Sequence, residues 1–272
     1  MTDKEIIRAL RCGEDANANL GSGSSGNATV IHTPEGALLV DAGFSAKELC
    51  VRLQSASIRP ESIRAVLITH EHTDHTKGLR VFTDAYAIPC YVTNSVCKAL
   101  AQKNRIGEKR SLITAGTPFG LLGLEVDPFT VQHDACETVA FNFRFGEHQI
   151  SIATDLGQIT ASVCEKLRGA EALLIESNHD LKMLANSDRP IRLKRRIMSR
   201  YGHLSNKDAM ESLDSILTEV SRFLLFAHLS SECNKEEIVT GMAEQRLDYL
   251  KRCDILYKVA KQSQPTDTFW VV

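Results

Sequence analysis

The sequence T-H-E-H-T-D-H at residues 69–75 indicates both the architecture and the chemistry of this chain. It follows the apolar run A-V-L-I at residues 65–68, which is typical of a buried strand. Side chains two apart share a face in extended backbone, so the first two histidines can reach one metal ion together. If the chain then turns into a helix, the last two ligand-type side chains move toward a second ion. The four candidate ligands are His70, His72, Asp74 and His75.

Chance clustering is a poor explanation of this pattern. A lone histidine is more often a core or surface residue than a ligand. Here three histidines and an aspartate fall within six residues of a chain that has nine histidines in all. The spacing therefore predicts a metal site.

Composition and charge narrow the class of protein. The 272 residues are 43% hydrophobic and 24% charged, which is ordinary for a soluble globular protein. A net charge of −2 gives no global bias toward nucleic acid, so any basic binding surface must be local. No apolar stretch reaches the roughly 18 residues that span a bilayer. The first residues, M-T-D-K-E-I-I-R, do not resemble a secretory signal. We therefore expect a cytoplasmic protein that does not bind membranes.

The cysteines agree with that location. The chain has eight of them, but no C-x-x-C pair and no cluster with zinc-finger spacing. Several lie in apolar contexts, where a free thiol behaves as a small hydrophobe. We expect reduced cysteines, as in a reducing compartment.

A repeated pattern along the chain predicts an α/β protein in one domain covering residues 1–272. Short apolar, β-prone runs end at polar residues and are followed by turns or helical patterns. In α/β proteins, such strand ends deliver ligands to one rim. Helical patterns lie at residues 46–54, 94–103, 159–168 and 206–219.

The run G-S-G-S-S-G-N at residues 21–27 has two interpretations. Its composition is typical of a flexible linker. It could instead form a tight loop whose glycines let backbone N–H groups approach a ligand. The run precedes a strand signal at residues 28–31, which favours the packed loop.

The polar residues at the strand ends complete a set of seven candidate ligands. Asp155 can bridge two ions because a carboxylate has two oxygens. Each ion would keep one position for water, as catalytic sites require. Ligands of nitrogen and oxygen without cysteine suit zinc, manganese or iron. Taken singly, His133, Asp155 and His228 could also be hydrogen-bonded strand termini. One ion would take His70, His72 and His133, the other Asp74, His75 and His228, with Asp155 shared.

These residues resemble the metallo-β-lactamase fold superfamily over nearly the whole chain. The shared motifs are L-L-V-D-A-G at 38–43, T-H-E-H-T-D-H at 69–75, His133, A-T-D at 153–155 and H-L-S at 228–230. The resemblance implies a four-layer αβ/βα sandwich with a dinuclear metal site at one edge of the sheets. It also implies that Asp41 supports the ligand loop by hydrogen bonding and does not bind metal.

Further motifs resemble the YycJ/WalJ branch, whose members are DNA exonuclease-like. They are S-G-S-S-G-N at 22–27, H-D-A at 133–135, E-S-N-H-D at 176–180, G-H-L-S-N at 202–206 and H-L-S-S-E-C-N at 228–234. No long insertion separates the later motifs, which argues against the β-CASP nucleases. The chain departs from the branch at residues 15–20, which make a poor strand where the family has one.

G-H-L-S-N also resembles the histidine motif of the tRNA 3′-processing endonucleases. By that resemblance His203 is the general acid for the leaving 3′-oxygen, and Glu176 orients it and keeps it protonated. A nearby carboxylate does raise an imidazole pKa. The alternative is that His203 only caps the helix that begins near Ser205.

A basic segment at residues 189–200 carries six positive charges and no acid. Such a run is often a solvated helix face, but its place just before His203 suggests that it neutralises phosphates. The candidate substrate-binding residues are Ser24, Ser25, Asn27, Lys194, Arg195 and Arg196.

The sequence thus predicts a phosphodiesterase with two divalent ions, zinc or manganese with iron as a further option. Its substrate would be nucleic acid, with DNA favoured over RNA, and a DNA exonuclease is the preferred interpretation. A metal-bridging hydroxide would be the nucleophile, and Asp74, His203 and Glu176 the catalytic residues. A small-molecule hydrolase of a cyclic phosphodiester, lactone or thioester remains an alternative, as does a non-catalytic metalloprotein. The sequence predicts no oligomeric state.

Overall fold

The structure is a computed structural model that describes residues 17–33 and 35–269. The first cysteine, Cys12, lies outside this range. Within it the strands are β1 Asn17–Gly21, β2 Ala28–Thr33, β3 Gly36–Val40, β4 Ile63–Leu67, β5 Cys90–Thr93, β6 Arg110–Ile113, β7 Phe119–Leu121, β8 Leu124–Thr130, β9 Val139–Phe145, β10 His148–Ala153, β11 Ala172–Glu176, β12 Phe223–Ala227, β13 Leu256–Val259 and β14 Thr266–Phe269.

The helices pack outside the sheets, and none in the described ranges is long and apolar enough to cross a membrane. A 3₁₀ turn spans Pro60–Ser62. The α-helices are α1 Ala46–Ser55, α2 Thr73–Thr76, α3 Leu79–Tyr86, α4 Asn94–Gln102, α5 Ala161–Leu167, α6 Leu181–Asn186, α7 Ile191–Ile197, α8 Asn206–Ile216 and α9 Glu236–Tyr249.

The strands form two seven-stranded sheets, in the orders β14-β1-β2-β3-β4-β5-β6 and β13-β12-β11-β10-β9-β8-β7. Because side chains alternate along a strand, each sheet has two apolar faces. Leu38 and Val40 face the second sheet and pack with Phe141, whereas Leu39 packs with α1 through Leu49. A third cluster joins the second sheet to α5, α8 and α9. The resulting layer order is αβ/βα, which confirms the predicted fold class.

The predicted helices are present, with shorter ends in two cases. The patterns at residues 46–54 and 94–103 correspond to α1 and α4. Those at residues 159–168 and 206–219 correspond to α5 and α8, which end at Leu167 and Ile216. The apolar layer shared by the two sheets supports our proposal that the chain forms one domain.

The prediction that residues 15–20 make a poor strand was wrong. Asn17–Gly21 is a buried strand that pairs antiparallel with β2 on one side and with β14 on the other. Its asparagines and glycine have low strand propensity, but pairing on both edges and burial outweigh that preference. The strand leads directly into the loop at residues 22–27, which is packed and not a linker, since Ser22 and Asn27 are buried.

The sheet topology directs polar residues to one rim. Strands β3 to β6 are parallel to one another, as are β10 to β13, so their carboxyl ends emerge together. Asp41, Asp155 and His228 follow β3, β10 and β12, and all three have left-handed backbone, with φ of 63°, 55° and 57°. Such conformations are uncommon outside glycine and cluster at functional sites. The tight turns aim these side chains back across the strand ends.

Gly43 lies where three of these rim segments cross. Its N–H donates to the Asn27 carbonyl, while the Asn27 N–H donates to the Asp74 carbonyl. A Cβ at Gly43 would overlap the Asp74 carbonyl oxygen and approach the Asn27 nitrogen. The crossing therefore requires glycine.

We predict that Gly43→Ala lowers the free energy of unfolding by about 3 kcal/mol or more, since the backbone must shift to relieve this overlap. Gly241→Ala is the control, because its Cβ would meet no atom within 4 Å in the middle of α9. Alanine there should raise stability by about 0.5–1 kcal/mol. Urea unfolding of both variants checks this, and equal midpoints would contradict it.

Candidate metal centre

The structure brings all seven predicted ligands together at the rim. Asp155 lies at their centre and is 2% exposed. Its Oδ2 is 3.0 Å from His75 Nε2, and its Oδ1 is 3.7 Å from His133 Nε2 and 3.6 Å from His228 Nε2. One carboxylate thus faces histidines of both predicted groups.

Among the described residues, four groups of potential ligand atoms lie close enough to hold an ion, and two of them are the predicted sets. Within each set the atoms are within 4.8 Å of one another. Asp74 Oδ2 is 3.7 Å from both His75 Nε2 and His228 Nε2. The sets are His70, His72 and His133, and Asp74, His75 and His228.

Several buried atoms of the cluster have no hydrogen-bond partner among the described residues. They are His70 Nε2, His228 Nε2 and Asp155 Oδ2. Asp155 Oδ2 is near His75 Nε2, but not in hydrogen-bond geometry. A buried polar atom without a partner costs free energy. Here the unpartnered atoms are imidazole nitrogens and a carboxylate oxygen, which are the kinds of atom that bind divalent cations. The donor set therefore fits divalent metal ions.

Asp41 holds the ligand loop as the family resemblance implied. Its Oδ1 accepts from the Thr69 N–H at 2.9 Å, and its Oδ2 lies 2.7 Å from His75 Nδ1. A carboxylate partner places the proton on Nδ1 and leaves Nε2 for the metal. His133 is held in the same way, since its Nδ1 lies 3.0 Å from the Gly202 carbonyl oxygen.

Glu176 is fully buried and links two histidines. Its Oε1 lies 2.8 Å from both His203 Nδ1 and His228 Nδ1, and its Oε2 accepts from the Leu156 N–H. Burial raises the pKa of Glu176, but the charges and hydrogen bonds of His203 and His228 outweigh it and lower the pKa to about 2. Burial lowers the pKa of His203, and the Glu176 carboxylate more than reverses this, so the net shift is upward.

His203 does not cap α8. The N-cap is Ser205, whose hydroxyl accepts from the Asp208 N–H. The His203 side chain is 24% exposed and stands beside the ligands, with ring centroids 5.0 Å from His133 and 5.2 Å from His228. It is free to serve the site, and the capping alternative loses its support.

The three predicted substrate-binding residues of the serine-glycine loop differ in exposure. Ser24 and Ser25 are exposed at the rim. Asn27 is 5% exposed, and its Oδ1 accepts from the Ser22 hydroxyl and the Gly23 N–H. Its Nδ2 lies 2.9 Å from His75 Nε2. The contacts with Ser22 and Gly23 assign Asn27 to holding the loop, whereas the serines remain candidates for substrate.

The basic segment is partly neutralised by its surroundings. Arg196 Nε pairs with Asp134, and Arg189 Nε lies 2.9 Å from Glu232 Oε2. Lys194 Nζ donates to the Ala185 carbonyl, and Arg195 is exposed on α7. Of the three predicted cationic residues, Arg196 alone lines the cavity next to His203, and Arg189 joins it there.

Sequence reasoning gave no role to Asn178 or Ser230, which also border that cavity. Asn178 Nδ2 donates to the His228 carbonyl at 2.8 Å, and the Ser230 N–H donates to the Asn178 carbonyl. Their only signal in the sequence was membership of two motifs shared with the exonuclease branch. Their contacts join segments about 50 residues apart, which spacing alone does not reveal.

The fold and the ligand cluster define a metal-dependent hydrolase of the metallo-β-lactamase fold. The chain belongs to the family described as Beta-lactamase superfamily domain, whose model matches residues 37–228. It is 33% identical to exodeoxyribonuclease YycJ of Bacillus anthracis over 84% of this chain and 88% of the relative. It is 32% identical to exodeoxyribonuclease WalJ of Streptococcus pneumoniae over 80% of this chain and 83% of the relative.

A solved structure gives the same architecture. The metallo-β-lactamase fold protein YhfI from Bacillus subtilis superimposes with a TM-score of 0.70 at 15% identity, over 92% of this chain and 98% of that chain. At this identity the likeness concerns the fold.

We predict that Asp41→Ala lowers metal affinity about tenfold to a hundredfold, although Asp41 is not a proposed ligand, because His75 loses the partner that orients it. Competition titration with a metal-binding dye measures this. His148→Ala is the control, since His148 pairs with Glu171 away from the ligand cluster. Unchanged affinity in Asp41→Ala would contradict the assigned role.

Proposed function

We propose that this metal-dependent hydrolase is a phosphodiesterase acting on nucleic acid, and specifically a DNA exonuclease. The observation that carries the proposal is the Glu176–His203 pair beside the ligand cluster, with Arg196 and Arg189 next to it. The identity with YycJ and WalJ, both named exodeoxyribonucleases, supports DNA as the substrate.

The proposed cofactors are two divalent ions, zinc or manganese, with iron as a further candidate. When bound, such ions supply an activated water and neutralise charge on the phosphate. The proposed ligands are the two sets described above, with Asp155 between them. The side chain of Asp74 is 26% exposed and that of Asp155 is 2% exposed, so Asp74 is the more accessible of the two proposed aspartate ligands.

His203 is the proposed general acid. Glu176 Oε1 holds its Nδ1, so the ring presents Nε2 to the solvent-exposed side of the cluster. Because Glu176 raises the pKa of His203, the imidazolium persists to higher pH than for an ordinary histidine. It can therefore protonate the oxygen that leaves phosphorus.

The alternative of a lactone or thioester hydrolase has less support. Those substrates do not need the cationic Arg189 and Arg196 beside the site. We also retain the cytoplasm as the proposed location, because the seven cysteines of the described residues are free thiols, as in a reducing compartment.

Digestion of DNA labelled separately at its 5′ and 3′ ends tests the proposed activity. The enzyme would be loaded with manganese or with zinc, and Asp74→Ala protein would serve as the contamination control. We expect stepwise shortening from one end, absent in Asp74→Ala. If protein that holds two ions per chain leaves the DNA at full length, the exonuclease proposal is wrong.

We predict that His203→Ala slows DNA digestion by about 10²–10⁴-fold, since the leaving oxygen loses its proton donor. Thymidine 5′-p-nitrophenyl phosphate needs no such donor, because p-nitrophenolate leaves unprotonated, and its hydrolysis should change far less. Equal losses on both substrates would mean that His203 acts structurally.

The pH profile gives an independent check on the same group. Wild-type kcat should fall as pH rises through the raised pKa of His203, because only the protonated ring donates. Glu176→Gln removes the carboxylate that raises this pKa, so the alkaline limb should move to lower pH. An alkaline limb at the same pH in both proteins would contradict the pairing.

A further inference from the structure

A small cavity beside His203 is not accounted for by the metal ligands. Its volume is about 130 Å³, and we call it the His203 cavity. Helix α7 and the turn before it supply Arg189, Arg196 and Ile197, and the loops after β11 and β12 supply Asn178 and Ser230. His203 lies on the side that faces the ligand cluster.

The charge of this lining favours an anion. Two guanidinium groups line it, those of Arg189 and Arg196, against the single carboxylate of Asp134. Glu232 engages Arg189 through Nε, and Asp134 engages Arg196 through Nε. Among the described residues, the terminal nitrogens of both guanidinium groups have no hydrogen-bond partner. Each arginine is therefore oriented by an acid while its remaining donors stay available.

Neutral groups supply further hydrogen bonds. The Ser230 hydroxyl accepts from the Cys233 N–H at 3.2 Å, so its own proton is available to a ligand. The exposed Ser24 hydroxyl lies at the same cavity. Hydroxyl and guanidinium donors around a small space are the chemistry that binds phosphate oxygens.

The size of the cavity limits what it can hold. Its volume is that of about four water molecules at roughly 30 Å³ each. Drug-sized ligands occupy pockets of about 300–1,000 Å³, so a nucleoside is too large. A phosphate group, with five heavy atoms, is of the right size. Ile197, which packs with Leu184 and Cys233, forms an apolar side of the cavity.

We propose that the His203 cavity binds a terminal phosphomonoester of the nucleic acid, held by Arg189 and Arg196 with the Ser230 and Ser24 hydroxyls. This rests on the proposed nuclease function and adds to it: the substrate is a phosphorylated end, which the cavity binds beside His203. An end that carries only a hydroxyl leaves the cavity unfilled and is a poorer substrate.

Four versions of one oligonucleotide test the inference, with phosphate or hydroxyl at the 5′ end and phosphate or hydroxyl at the 3′ end. We expect wild-type protein to favour one phosphorylated end about tenfold to a hundredfold, as loss of hydrogen bonds to a charged group predicts. The comparison shows whether the cavity binds a 5′-phosphate or a 3′-phosphate. Arg189→Met should abolish the preference, so that phosphorylated and hydroxyl ends are digested at equal rates.

Arg192→Met is the matched control, because it also removes one positive charge from the basic segment, but Arg192 does not line the cavity. It should alter both kinds of end by the same factor and keep the preference. Arg189→Met is expected to fold, since its partner Glu232 is 66% exposed and can be solvated.

A binding measurement separates this inference from the nuclease proposal. Fluorescence anisotropy with Asp74→Ala protein gives affinities for the four oligonucleotides without cleavage. Tighter binding of one phosphorylated end, lost in Asp74→Ala/Arg189→Met, supports the cavity even if no DNA is digested. Equal affinity for all four would overturn it, even if wild-type protein proves to be an exonuclease.

Discussion

The buried carboxylate of Asp155 is the constraint on which the site depends. It sits among His75, His133 and His228, with one oxygen toward the first and the other toward the remaining two. A charge this deep is costly unless it is compensated, and the surrounding imidazoles hold the pKa of Asp155 well below its usual range despite burial. The same carboxylate lies between the two sets of proposed ligands. The histidines that compensate its buried charge are therefore also proposed metal ligands.

The rest of the rim keeps the histidines aimed at that centre. Asp41 holds His75, Glu176 holds His203 and His228, and the Gly202 carbonyl holds His133. Because each contact occupies Nδ1, each ring presents Nε2. Glu176 thus connects a proposed ligand with the proposed acid. The two sheets make this possible, since their parallel strands end at the same edge and the left-handed turns there reverse the side chains.

Much of this was predictable from sequence, because the information is local. The H-x-H-x-D-H spacing and the polar residues at strand ends indicated all seven candidate ligands that the fold brings together, and the apolar runs indicated the layers. Strand β1 was not predictable, since its pairing with β2 and β14 outweighs its composition. Nor was the burial of Asn27, or the pairing of Arg189 with Glu232. These depend on contacts between distant segments, which periodicity does not encode.

The most direct test of the proposed dinuclear centre is anomalous scattering from a crystal of the manganese-loaded protein. Two peaks are predicted, about 3.5–4 Å apart as in dinuclear hydrolases, with Asp155 between them. One should lie nearest His70, His72 and His133, and the other nearest Asp74, His75 and His228. A single peak, or peaks away from Asp155, would contradict the dinuclear centre on which the proposed phosphodiesterase rests.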